Sequence, residues 1–235
     1  LGFKALKNEL IKIDVKVQLL PTPWPAGQLP SPTSSLLSVA SKKGLVAAAG
    51  PDTVVVAYTK TVRHTFQATE EEIQSSASGI RPFQPELHLP MPMRISQVAF
   101  SADESYLVLS AEDGGGLAVY EVQGLLGGAT QPAFQVSTNG QPIRALIPNP
   151  TQGELFAVVL ANGSLLMANL MERNFVQGGN GQVLKDTVSC VSWSSKGKQL
   201  VAGLANGTAY QMKPDGSGVG DIPRPPSVNE GNFGK

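Results

Sequence analysis

The 235-residue sequence predicts an all-β chain folded as a β-propeller, WD40-like with atypical repeats, and three observations predict it. Twenty-five glycines, 18 prolines and only 15% charged residues favour many short strands joined by turns over long solvated helices. A strand–turn–strand–turn–strand unit recurs at close to the roughly 40–45-residue period of propeller blades. The middle strand of the unit is apolar at nearly every position, as a strand covered by sheets on both faces must be.

Before the first unit, Leu10–Val17 alternates like a strand, and residues 1–17 form an N-terminal strand region expected to complete the sheet of another blade. The Pro-rich stretch Pro21–Pro32 follows. Pro21-Thr22-Pro23-Trp24-Pro25 has the composition of a polyproline ligand, but a loop pinned by one buried tryptophan is the plainer reading.

The first unit runs Leu36–Ala40, the turn Ser41-Lys42-Lys43-Gly44, Leu45–Ala49, the turn Gly50-Pro51-Asp52 and Thr53–Tyr58. The second runs from Ile95 to Phe100, through Ser101–Ser105, Tyr106–Ser110 and the Glu112–Gly116 turn to Leu117–Val122. The third has a strand from Ile143 to Ile147, the turn Pro148–Gly153, Leu155–Leu160, Asn162-Gly163 and a strand to Asn169. The fourth runs from Val188 to Trp193, through the Ser194–Gly197 turn, Gln199–Gly203 and Asn206-Gly207 to Met212. First strands end at Val39, Phe100, Ile147 and Trp193, giving steps of 61, 47 and 46 residues, so only the first step is long. Its extra length is assigned to a connection between blades, Thr69–Pro92. The blades are expected at approximately 34–66, 95–136, 143–184 and 188–222 of a single domain 1–235.

A lone blade loses roughly 1–2 kcal/mol of backbone entropy per residue, while each buried aliphatic side chain returns only about 1.5–3 kcal/mol, so blades need neighbours. Because propellers have about four to eight blades, the chain reads as some four blades of a larger ring that is incomplete after Lys235, with a closed four-bladed ring as the alternative.

Composition and motifs exclude several function classes. Equal counts of 18 Lys+Arg and 18 Asp+Glu argue against direct nucleic-acid binding as the main role. No run of about 18 apolar residues occurs, so no membrane insertion is expected; no signal peptide is evident, although the chain opens on Leu1 rather than Met. Cys190 is the sole cysteine and reads as a small core residue without a base beside it. His64, placed at the end of a strand, and His88, among prolines in the long connection, have no carboxylate at ligand spacing, so neither metal nor cofactor is expected. No catalytic residue is assigned, and the chain is read as a non-enzyme.

Asn162-Gly163-Ser164 and Asn206-Gly207-Thr208 match the glycosylation pattern, but both fall where a hairpin demands Asn-Gly. Gly114-Gly115-Gly116 joins two strands and lacks the lysine and helix of a phosphate loop. Glu70, Glu71 and Glu72 after Thr69 read as the start of a short solvated helix, and are the candidate partner-binding residues as an acidic contact for a basic partner. Lys42-Lys43 and Lys196/Lys198 hold equivalent first-turn positions on one face of the ring, where they keep turns soluble or form a modest basic rim.

Phe3-Lys4-Ala5-Leu6-Lys7, Ser34–Ala40, Lys43-Gly44-Leu45-Val46 and Val191–Leu200 are collinear with, and resemble, the N-terminal propeller of the CAN oncoprotein nucleoporin family and its fungal counterpart. The resemblance implies a seven-bladed ring at the cytoplasmic face of the nuclear pore complex. It also implies docking of a DEAD-box mRNA-export ATPase in competition with RNA, and links to other nucleoporins through regions outside this sequence. In that family the helicase contacts lie mainly on loops of later blades, expected here beyond Lys235, so no contact residue carries over. The 21–32 and 69–92 loops have no close counterpart in the family. The alternatives are a generic WD-type scaffold in another complex, or a propeller enzyme or sugar binder. The latter would need convergent carboxylates or histidines on the inner strands, which carry Leu, Val, Ala and Ser instead.

Overall fold

The computed structural model describes residues 16–66, 80–177, 184 and 186–223. Four antiparallel four-stranded sheets follow one another along the chain. The first contains β2 (Leu37–Ala40), β3 (Leu45–Ala49), β4 (Thr53–Tyr58) and β6 (Leu87–Pro90). The second contains β7 (Ile95–Phe100), β8 (Tyr106–Ala111), β9 (Leu117–Glu121) and β10 (Phe134–Val136). The third is β11 (Ile143–Pro148), β12 (Leu155–Leu160), β13 (Leu165–Asn169) and β14 (Asn174–Gln177). The fourth is β15 (Val188–Trp193), β16 (Leu200–Leu204), β17 (Ala209–Met212) and β18 (Gly218–Asp221). Each is an up-and-down meander, the unit of a propeller blade.

The period-2 alternation of strand side chains explains the nearly continuous apolar middle strands. Leu107 and Leu109 of β8 enter the core shared with the first blade, while Val108 between them enters the core shared with the third. Phe156 and Val158 of β12 likewise face the second blade, and Ala157 and Val159 face the fourth. Each inter-blade layer therefore draws on both neighbours, with about 1.5–3 kcal/mol for each large side chain removed from water. In β16 the expectation of cover on both faces fails. Leu200, Ala202 and Leu204 are buried against the third blade, but Val201 and Gly203 between them are only partly covered.

Two further expectations are corrected in the first blade. The long step lies within it, between β4 and β6, where α1 (Thr59–Phe66) and β5 (Ile80–Pro82) intervene, so its fourth strand falls at Leu87–Pro90, beyond residue 66. The described part of the N-terminal strand region, β1 (Lys16–Gln18), pairs in parallel with β5 in a separate two-stranded sheet and completes no blade. A second short helix, α2 (Val122–Leu126), bridges β9 and β10. No helix among the described residues is long and apolar enough to cross a membrane.

Candidate docking surface

The inner strands β2, β7, β11 and β15 are joined by polar groups. Register shifts occur at the same point in three of them, between Ile95 and Gln97, Ile143 and Ala145, and Val188 and Cys190. A bulge re-aims the extra residue, and in two blades that side chain reaches the next inner strand. Ser96 Oγ donates at 3.5 Å to the Ile143 carbonyl, and the Arg144 guanidinium donates to the carbonyls of Val188 and Ser189. Gln97 Nε2 donates both to Thr33 O at 3.0 Å and to Arg144 O at 2.9 Å, tying the segment ahead of the first blade to the second and third blades. Ser96 and Gln97 are buried, and these bonds satisfy them at modest net gain where an orphaned group would cost about 1–3 kcal/mol.

The turns between first and second strands form one rim. Glu104, buried and held at φ 62°, accepts the backbone N–H groups of Lys42 and Lys43 with its two carboxylate oxygens. Asp103 closes on Gly153 so tightly that any side chain there would collide with its carboxylate. Asn149 Nδ2 donates at 2.8 Å to the Gly197 carbonyl, and Thr151 Oγ1 at 3.1 Å to that of Lys196. The four turns are thus linked in series. Rigid loops on such a scaffold lose little entropy on binding.

The opposite rim carries the Asn-Gly turns. Asn162 Oδ1 accepts the Ser164 N–H and Asn206 Oδ1 that of Thr208, with Gly163 at φ 83° and Gly207 at φ 77°. The side-chain oxygens thus close the turns, as the hairpin reading expects. Gly114, Gly115 and Gly116 all have positive φ and join β8 to β9.

Trp24 is half-buried rather than buried: it lines an open cleft with Leu20, Leu36 and Ala49, and the Arg94 guanidinium lies 5.4 Å from its ring centre. Arg94 also donates to Gln28 Oε1 and lies 3.7 Å from Glu112, so one residue clasps the Pro-rich loop to the second blade.

Other candidate residues fall elsewhere than expected. Cys190 is exposed, not a core residue: it stands opposite Gly203 on the face of β15–β16 turned away from the third blade. His64 lies in α1, not at a strand end, and His88 lies in β6; both are exposed. No group of histidine, cysteine and carboxylate side chains that could hold a metal occurs among the described residues. Glu70, Glu71 and Glu72 lie outside the described residues. Lys235 lies outside them too. Lys42 and Lys196 do occupy equivalent turns, and Lys196 and Lys198 line a cleft of about 630 Å³ with Lys213 of the β17–β18 hairpin. Sequence reading missed Lys213, and it missed Glu104 and Asn149, which each bond to the turn of a neighbouring blade.

A family model described as the NUP159/214 beta propeller matches residues 30–234. Nucleoporin NUP159 of Chaetomium thermophilum is 53% identical over 232 residues, 98% of this chain. The chain spans only 15% of that relative's length. The crystal structure of the N-terminal domain of Nup159 superposes with a TM-score of 0.62 at 14% identity, over 92% of this chain and 56% of that one. A chain in the solved structure of S. cerevisiae dbp5 bound to nup159, gle1, ip6 and adp superposes with a TM-score of 0.61 at 15% identity, over 91% of this chain and 50% of that one. Four radial four-stranded sheets and a family match over most of their length agree: the chain belongs to the NUP159/214 β-propeller family.

Proposed function

We propose that this chain forms part of a docking platform at the cytoplasmic face of the nuclear pore complex, where it binds a DEAD-box helicase during mRNA export and carries out no chemistry itself. The observation that carries this reading is membership of the NUP159/214 propeller family, with 53% identity to a nucleoporin across nearly the whole chain. The solved complex of dbp5 with nup159 supports the choice of partner. The linked inner turns suit such a role, since a surface already ordered before encounter spends little binding energy on ordering itself. Four sheets belong, on this reading, to a ring of seven blades, and the link to other nucleoporins runs through the remainder of the longer protein. Glu70, Glu71 and Glu72 are offered as an acidic contact for the helicase, beside the main contact loops on blades that follow Lys235.

The test is capture of purified helicase on the immobilised full-length propeller, with and without single-stranded RNA. Retention that RNA competes away is expected; no retention at any RNA concentration overturns the reading. Reversal of Glu70, Glu71 and Glu72 to lysine without change in retention removes the acidic contact alone.

A further inference from the structure

We propose that the lysine-lined cleft of the fourth blade is a binding site for an acidic peptide segment of a partner protein. Lys196 and Lys198 come from the β15–β16 turn, Lys213 from the β17–β18 hairpin, and Gln152 from the third blade. Pro214 and Val219 supply an apolar floor, and Val219 is 55% exposed. Three ammonium groups from two separate turns therefore share one concave surface. Among the described residues no carboxylate forms an ion pair with Lys196 or Lys198. Lys213 feels Asp215, whose Oδ1 accepts both the Ser217 backbone N–H and its hydroxyl, so Lys196 and Lys198 are, among the described residues, the two cleft cations without a carboxylate beside them.

The walls are fixed in advance. Asn149 and Thr151 hold the Lys196–Gly197 backbone, and the Asp215–Ser217 bonds close the hairpin that presents Lys213. An incoming carboxylate would thus meet positioned cations at little ordering cost. Glu154 and Glu172 line the adjoining depression beyond Lys213, so an acidic chain is attracted on one side of Lys213 and repelled on the other, which sets its direction.

The lining favours a peptide over other polyanions. Single-stranded nucleic acid is held by aromatic stacking platforms as well as cations, and no aromatic or arginine side chain lines this cleft. A bilayer presents a flat surface, whereas this site is concave with apolar side chains on its floor. Carboxylates flanking an apolar residue match lysine heads around Pro214 and Val219.

The inference is independent of helicase docking, and its test contains no helicase, so its failure leaves that reading untouched. Fluorescence anisotropy of a labelled peptide of alternating Glu and Leu is measured against the full-length propeller, wild type and with Lys196→Glu, Lys198→Glu and Lys213→Glu combined. The combined variant is expected to weaken binding by about tenfold or more, while Lys60→Glu on α1 leaves it unchanged. Affinity should also fall as salt shortens the screening length below about 8 Å. The same three lysines changed to Gln, with an unaltered melting profile, must show a loss in the same direction. Equal binding by wild type and either triple variant, or an equal loss in Lys60→Glu, overturns the site. Displacement of the peptide by a single-stranded RNA or by phosphatidylserine vesicles at lower concentration than by unlabelled peptide overturns the peptide assignment.

Discussion

The carboxylate of Glu104 accepts the backbone N–H of Lys43 at 2.7 Å, across the boundary between the second and first blades. Its other oxygen takes the N–H of Lys42 at 2.9 Å, so one acidic side chain satisfies two turn donors of a neighbouring sheet. Glu104 does this from the left-handed region, at φ 62°, which an L-residue adopts at a cost of roughly 1–2 kcal/mol.

Glu104→Ala is expected to lower the unfolding free energy by about 2–3 kcal/mol, because two donors lose a charged acceptor. Glu104→Gly loses the same bonds but relieves the backbone, so it should be milder by about 1 kcal/mol. Chemical denaturation of the complete propeller checks both; a glycine variant less stable than the alanine variant would contradict this reading.

Asn149→Asp separates the inter-blade bond from the local turn. The new carboxylate keeps the acceptor for Thr151 N and Gln152 N but has no hydrogen to offer the Gly197 carbonyl. At a fully buried site the two facing oxygens should cost about 1–3 kcal/mol near neutral pH, read as a lower melting temperature.

Gly115→Ala and Gly116→Ala should differ sharply. Nothing lies within 4 Å of a Cβ at Gly115, so the cost there is only the strain of φ 103°, about 1–2 kcal/mol. At Gly116 the Cβ would strike the Val136 carbonyl oxygen of β10, and a loss of about 3 kcal/mol or more is expected. Equal melting temperatures for the two variants would refute the packing of β10 on this turn.

The Asp215 carboxyl lies below the usual carboxylate range, held there chiefly by the Ser217 hydroxyl and N–H, with Lys213 adding a smaller pull. A carboxyl depressed in the folded state contributes stability above its unfolded pKa of about 3.9, and that contribution fades as pH falls through the lower folded value. Ser217→Ala should move the Asp215 titration midpoint upward, as followed by carboxyl NMR shifts.

Strand content was legible wherever chemistry is local. Asn162-Gly163 and Asn206-Gly207 mark their hairpins through φ alone, and Leu155–Leu160 announces a strand between two sheets through its unbroken apolar run. The first blade's outer strand was not legible, because Leu87–Pro90 is short, flanked by prolines and separated from Thr53–Tyr58 by an insertion. Cys190 misled because its own strand is apolar enough for a core. Its exposure depends on which face the next sheet covers, a fact no single strand encodes. The polar links of Glu104, Gln97, Arg144 and Asn149 join residues 44 to 64 positions apart, and no local pattern signals them.

Isothermal titration of the full-length propeller with the export helicase, in its ATP-bound and ADP-bound forms, tests the docking role most directly. A saturable one-to-one complex in at least one nucleotide state is the expected result. No heat of binding in either state, from a propeller shown to be folded, would contradict it.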